Sequence, residues 1–235
     1  MKAILMIFVM ILAGILLYGV LPSVYYRVIK PLPRLRSTSS KTLCLTFDDG
    51  PDPRFTNQLL DLLAKYNIKA TFFVVAAFAQ DNPEIINRFI DEGHSIGLHS
   101  LSHRNSMWVS PFYTKHDFKE SIKILNNLGI LVPFYRPPWG LFNIFTAKYI
   151  RKYNLNLVLW DVMAEDWRGN TTSDIISAKL LKRTRDCSII CLHDGRGTND
   201  APKRTIEALE KTIPVLIDKG YTFVKADELY KQFTY

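Results

Sequence analysis

The chain has 235 residues, 48% of them apolar, and a formal net charge of +8. That length allows one large domain or two small ones, with an apolar share in the ordinary globular range. Three cysteines at irregular spacing, Cys44, Cys187 and Cys191, exclude a disulfide framework and a Cys-x-x-Cys zinc site, and the basic balance, without any nucleic-acid motif, points to a membrane surface or cell-wall polymer.

Residues 3–21 carry no charge. A run of about 19 residues is close to the ~20 that span a bilayer. It is longer than the apolar stretch of a cleavable signal and ends without an Ala-x-Ala site, so residues 1–22 read as an uncleaved transmembrane anchor. Lys2 lies before the run, and Arg27, Lys30, Arg34, Arg36 and Lys41 lie after it. A literal positive-inside count puts the body in the cytoplasm, whereas a first helix beginning Met-Lys commonly exports the domain behind it. We expect a membrane-anchored protein with an extracytoplasmic catalytic body, against that count. Residues 23–40, with Pro31, Pro33 and a Ser/Thr tract, read as a linker, and residues 41–235 as one domain.

From Lys41 onward short apolar runs alternate with helical patterns. Strands are predicted over residues 42–47, 71–75, 95–99, 133–135, 155–160, 188–192 and 221–224. Helices are predicted over 55–66, 83–92, 116–128, 142–153, 173–182, 201–219 and 227–231. About seven β/α units signal a parallel sheet or barrel.

In β/α barrels functional groups sit where strands end. Five polar clusters fall at such places. Asp48-Asp49-Gly50-Pro51 closes the first strand, and adjacent carboxylates repel, so the pair needs a reason. His99 and His103, four apart, reach one ion if the segment turns helically, and Asp48 or Asp49 would complete a two-His-one-carboxylate set. Arg136-Pro137-Pro138-Trp139-Gly140 is a stiff loop with a permanent cation. Asp166-Trp167 follows another strand, and Cys191-Leu192-His193 puts an acid of near-neutral pKa at the end of the next. His94 precedes its strand and reads as structural, and Asp52 reads as turn chemistry.

Matched in this order over residues 42 to 230, the clusters resemble the polysaccharide deacetylases of the NodB-homology, carbohydrate esterase family 4 type. The resemblance implies a distorted (β/α)7-type barrel behind the single N-terminal helix. It makes Asp48 the catalytic base and Asp49, His99 and His103 the metal ligands. Arg136 orients the base, the backbone N–H of Trp139 receives the oxyanion, Asp166 tunes the catalytic acid His193, and Trp167 lines the pocket. Where the family usually carries Leu this chain has Cys191, which puts the acyl preference in question.

The chemistry fits these residue types. An amide is a poor electrophile, and one divalent ion, zinc first with cobalt or nickel compatible, supplies the Lewis acidity. Asp48 takes a proton from the attacking water, and His193 delivers one to the departing amine. The expected activity is removal of N-acetyl groups from amino-sugar glycans: peptidoglycan, a chitin-like chain or a lipid-linked oligosaccharide. The alternatives are a deformylase of a lipid-linked aminosugar, an O-acetyl xylan esterase or a non-catalytic glycan-binding relative. The last should have lost a ligand or the base, and none is lost. Expected partners are the glycan and, through the N-terminal helix, a membrane. Neither nucleic acid nor a protein partner is inferred.

Overall fold

Side-chain alternation along the strands decides where the core and the site lie. In the computed structural model, which describes residues 1–29 and 41–230, strand β1 (Thr42–Asp48) is buried along its whole length. Its odd-numbered residues Leu43, Leu45 and Phe47 join the large core between sheet and helices, whereas Cys44 points into a smaller core on the other face. A strand buried on both faces reads as a continuous apolar run, which is why this one was legible.

Around β1 run β2 (Thr71–Val75), β3 (Ser95–Ser100), β4 (Phe134–Tyr135), β5 (Asn156–Leu157), β6 (Val162–Met163), β7 (Ile189–His193) and β8 (Thr222–Val224). All pairs are parallel, in the order β5-β4-β3-β2-β1-β7-β6, with β8 added to β1. The end strands β5 and β6 do not pair with each other, so the sheet is a curled half-barrel with a gap. The expected distorted (β/α)7-type barrel is thus found as a half-barrel, with eight strands among the described residues. On the concave side Cys44, Phe73, Phe134, Val158 and Ile189 fill the bottom. Gly97 is required there, because a Cβ would run into the ring of Phe73. The next inward residues up each strand are Thr46 and Asp48 of β1, His99 of β3, and Cys191 and His193 of β7. The chemistry therefore stands directly on an apolar floor.

Helices α2 (Thr56–Lys65), α3 (Ala76–Asp81), α4 (Pro83–Asp91), α5 (Pro111–Asn127), α6 (Ile144–Lys152), α7 (Ser173–Arg183), α8 (Ala201–Asp218) and α9 (Asp227–Tyr230) follow the strands. The first turn of α5 comes earlier than the predicted residue 116, because Ser110 caps it by accepting from the Tyr113 N–H and Pro111 is preset at the first position. Helix α6 starts behind an Asn143–Thr146 capping box rather than at residue 142. Two elements were not predicted, α3 and β6. The predicted strand 155–160 shrinks to Asn156–Leu157, since the carbonyls of Val158 and Leu159 accept from the Arg136 guanidinium instead of a neighbouring strand.

The N-terminal helix α1 runs over Lys2–Ile29, 28 residues, exposed throughout residues 2–17 and partly buried between Tyr18 and Tyr26. It continues past residue 22, so residues 23–29 of the predicted linker are helical. π-Turns at Leu16–Val20 accompany Pro22, which has no N–H for the regular ladder. The remainder of the linker reading falls on residues 30–40, outside the described residues.

Candidate active site

Strand ends and strained turns assemble the site. Asp49, His103, Trp139, Glu165 and Arg196 all have positive φ, between 54° and 77°. None is glycine, and such backbone is held only where surroundings over-determine it. The five lie in or beside the five sequence clusters, and the loops they shape converge on one mouth.

Three donors meet at the end of β1 and β3. The Oδ1 of Asp49 lies 2.8 Å from His103 Nε2 and 3.3 Å from His99 Nε2. The Nδ1 of His99 is 2.7 Å from the Arg136 carbonyl, which can only accept, so Nδ1 carries the proton and Nε2 is left with its lone pair. The Asp49 Oδ1 is buried without a well-formed hydrogen bond among the described residues. An orphaned buried carboxylate oxygen between two imidazole nitrogens fits a cation better than it fits hydrogen bonding. Burial pulls the Asp49 carboxyl upward, but His103 and then His99 outweigh it and hold it well below the usual carboxylate range. Burial lowers His103, which keeps it a neutral ligand. These three residues are a fitting cage for one divalent ion.

Beside the cage stands the buried pair Asp48–Arg136. Arg136 Nη1 donates to Asp48 Oδ1 and to Thr46 Oγ1, each at 2.7 Å. Its Nε donates to the Val158 carbonyl at 3.0 Å, and its plane lies 4.1 Å over the Phe73 ring. With Nη2 donating to the Leu159 carbonyl, each guanidinium nitrogen has an acceptor although the group is cut off from water. On the other Asp48 oxygen, Oδ2, the thiol of Cys191 donates at 3.4 Å.

Opposite, His193 is held by Asp166. Asp166 Oδ1 is 3.0 Å from His193 Nδ1, while Oδ2 accepts from the His193 N–H at 2.8 Å and from Thr205 Oγ1 at 2.9 Å. Burial works against a proton on His193, but Asp166 outweighs it, and the imidazole is raised to about 9. Trp167 lies edge-on to that ring, with centroids 5.2 Å apart. Trp139 packs on His103 at 4.4 Å and leaves half its surface exposed at the mouth.

The structure thus brings together all ten residues singled out in the sequence: Asp48, Asp49, His99, His103, Arg136, Trp139, Asp166, Trp167, Cys191 and His193. Sequence reasoning missed Asp194. Its backbone N–H donates to the Asp48 carbonyl, and its buried Oδ2 accepts from Thr56 at 2.8 Å. Burial raises its carboxyl to about 7. A Cβ on Gly50 would strike the Asp194 carboxylate and one on Gly195 would strike the Asp49 carbonyl. The two glycines, legible as turn residues, let the two loops close on each other. Arg196, also missed, sits 3.8 Å from Asp49 Oδ2. Asp52 is in turn chemistry, accepting from the Arg54 N–H. Buried His94 accepts from the Ala70 N–H at the opposite end of the sheet, its imidazole lowered by burial to about 4.

Residues 35–158 match the family described as Polysaccharide deacetylase. The chain is 36% identical over 190 residues to a peptidoglycan-N-acetylglucosamine deacetylase of Bacillus cereus, covering 80% of this chain and 68% of that one. It is 32% identical over 202 residues to a chitooligosaccharide deacetylase of Sinorhizobium fredii, covering 82% and 93%. A solved peptidoglycan N-acetylglucosamine deacetylase, in complex with 4-naphthalen-1-yl-N-oxidanyl-benzamide, aligns with a TM-score of 0.77 at 33% identity, over 83% of this chain and 90% of that one.

Proposed function

The chain belongs to the polysaccharide deacetylase family, and on that premise we propose that it is a metal-dependent hydrolase that removes acetyl groups from N-acetylated amino sugars of the cell wall. The observation that carries the reading is the meeting of one cation cage with one buried carboxylate and one partly buried imidazole. Asp49, His99 and His103 form the cage. Asp48 and His193 flank it, and each has its own orienting partner.

In this reading Asp49, His99 and His103 hold a zinc ion, with cobalt or nickel also suited to the donor set. When bound, it supplies Lewis acidity to the amide carbonyl and to water. Asp48, fixed by Arg136, accepts the proton of the attacking water. The backbone N–H of Trp139 stabilises the oxyanion. His193, kept protonated by Asp166, gives its proton to the amine nitrogen as the carbon–nitrogen bond breaks. Trp167 and Cys191 line the space for the acyl group. Helix α1 anchors the domain to the membrane, with the catalytic body on the extracytoplasmic side, where cell-wall glycan lies.

The test is a substrate panel with the full chain. Metal-loaded protein is incubated with chito-oligosaccharides, peptidoglycan, acetylated xylan and lipid-linked amino sugars, and acetate and formate are assayed. Acetate from an amino sugar supports the reading; formate points to the lipid-linked deformylase. No release from any of them would sink it. A reporter fused to the C-terminus reads the side of the membrane.

A further inference from the structure

Helix α1 packs against the rim of the site. The Tyr18 hydroxyl donates to the Val109 carbonyl at 2.5 Å, and its ring lies 6.3 Å from that of Phe145. Gly19 is buried where Met107 leaves no room for a Cβ. Ser23 Oγ accepts from the Phe142 N–H at 2.9 Å, and Tyr26 stacks on the Phe142 ring at 4.9 Å. Arg27 donates to the Trp139 carbonyl at 3.4 Å. Trp139 belongs to the Arg136–Gly140 cluster and Phe142 lies just beyond it, so helix and catalytic loop form one packed unit.

Helical rise sets the depth of these contacts. At 1.5 Å per residue α1 is about 42 Å long, close to a bilayer with its headgroups. Counting ~20 residues from Ala3 puts the far edge of the hydrocarbon near Pro22, and Tyr18 about 6 Å inside it. Met107, Val109 and Phe145, which touch the helix at Tyr18 and Gly19, are held at that level. Apolar residues beside them are turned out of the protein. Trp108 is 65% exposed, Phe112 85% and Ile144 49%. Large apolar side chains in the open, each within three residues of a helix contact, need an occupant. Tryptophan favours the headgroup boundary of a bilayer. The sequence beyond the apolar run is basic, with Arg27, Lys30, Arg34 and Arg36, a charge of the sign that anionic lipid attracts.

We propose that Trp108, Phe112 and Ile144 form a second membrane contact beside the anchor, seated at the headgroup–acyl boundary, which holds the mouth of the catalytic site at the bilayer surface. The proposal rests on the reading of α1 as a membrane anchor. Phosphatidylcholine/phosphatidylglycerol vesicles carrying the full chain, with plain or brominated acyl chains, test it by tryptophan fluorescence. Trp108→Phe keeps an aromatic ring and removes one of the four tryptophans. The expected result is quenching of the wild type by brominated lipid, with roughly half of it lost in the Trp108→Phe variant. A chain that alkaline carbonate washes off the vesicles overturns the anchor reading and this proposal with it. A chain that stays, with quenching unchanged by Trp108→Phe, overturns this proposal alone and assigns the exposed face to a protein or glycan partner.

Discussion

Arg136 donates to Asp48 at 2.7 Å with both side chains buried, and the same guanidinium also satisfies Thr46 and the Val158 carbonyl. Breaking a buried pair from one side leaves an uncompensated charge, at a cost of about 3–5 kcal/mol. Arg136→Met should lower stability by that order in urea denaturation. It should also lower kcat on the order of 100-fold, because Asp48 loses its fixed position. Arg136→Lys keeps the charge without the fork and should recover only part of both losses. An Arg136→Met enzyme of wild-type kcat would remove Arg136 from its role in orienting Asp48.

His193 must be protonated to act as an acid. Burial opposes its proton, Asp166 outweighs burial, and the group stands near 9. A bound cation offsets the pull of Asp49, so the testable quantity is the difference between variants. Asp166→Asn should move the alkaline limb of the kcat profile to lower pH and reduce kcat at neutrality by on the order of 10²–10⁴. The same shift fixes the sign for stability. A histidine raised in the fold stabilises below its ordinary value of 6.5, and that stability is lost as pH rises toward about 9. The urea midpoint of metal-free wild type should decline across that window, and Asp166→Asn should flatten the decline. An unshifted limb together with an unflattened midpoint would deny the pair its role.

Removing the cation should abolish turnover while leaving the fold in place, since Asp49, His99 and His103 sit on strand ends above an apolar floor. Zinc, cobalt or nickel added to the stripped protein should restore it. Binding to the native state stabilises, by about 2.7 kcal/mol when the free ion is at 100 times its Kd, so Tm should rise with added metal. Asp49→Ala should lose the Tm response and the metal content measured by elemental analysis. Retained stoichiometric metal in Asp49→Ala would move the cage elsewhere.

Gly195 has its close neighbour in the Asp49 backbone, which a Cβ would strike. Backbone cannot swing away as a flexible side chain does. Gly195→Ala should therefore displace Asp49, lowering both Tm and metal content. Lowered Tm with unchanged metal affinity would confine the glycine to a folding role.

How far the sequence revealed this arrangement depended on the signal each part carried. Strands β1, β2 and β7 were legible because burial on both faces leaves largely apolar runs, and β3 through its shorter Ile96–Leu98 stretch. Asp48, Asp49, His99 and His193 were legible because polar groups close such strands, whereas Trp139, Trp167 and Cys191 were singled out only through the family resemblance. Strand β6 has two residues and carries no period. Helix α3 continues the apolar run of β2 into Ala76 without a turn residue between them, so periodicity could not separate them. Asp194 was hidden for another reason. An Asp before Gly reads as a solvated turn, and only the fold shows that Thr56 and the Gly50 loop bury it. The contacts of α1 with Phe142 and Val109 span more than 90 residues and had no local signature.

Cys191 pairs in register with Thr46 and turns its thiol to Asp48 at 3.4 Å. Burial first, and then the Asp48 charge, push the thiol well above its ordinary pKa. It is a neutral donor and a small apolar surface, not a nucleophile. Those two properties are separable. Cys191→Ser keeps a donor of similar size and should keep the preference for acetyl. Cys191→Ala removes the donor and opens space, so the ratio of kcat/KM for N-propionyl over N-acetyl glucosamine oligomers should rise. One methylene in an apolar pocket is worth about 1–3 kcal/mol, a factor of roughly 10 or more. Cys191→Leu should narrow the same space at a stability cost of about 1–3 kcal/mol from overpacking. An N-propionyl to N-acetyl ratio identical in wild type, Ala and Leu variants would remove Cys191 from the acyl pocket and leave it as a neighbour of Asp48 alone.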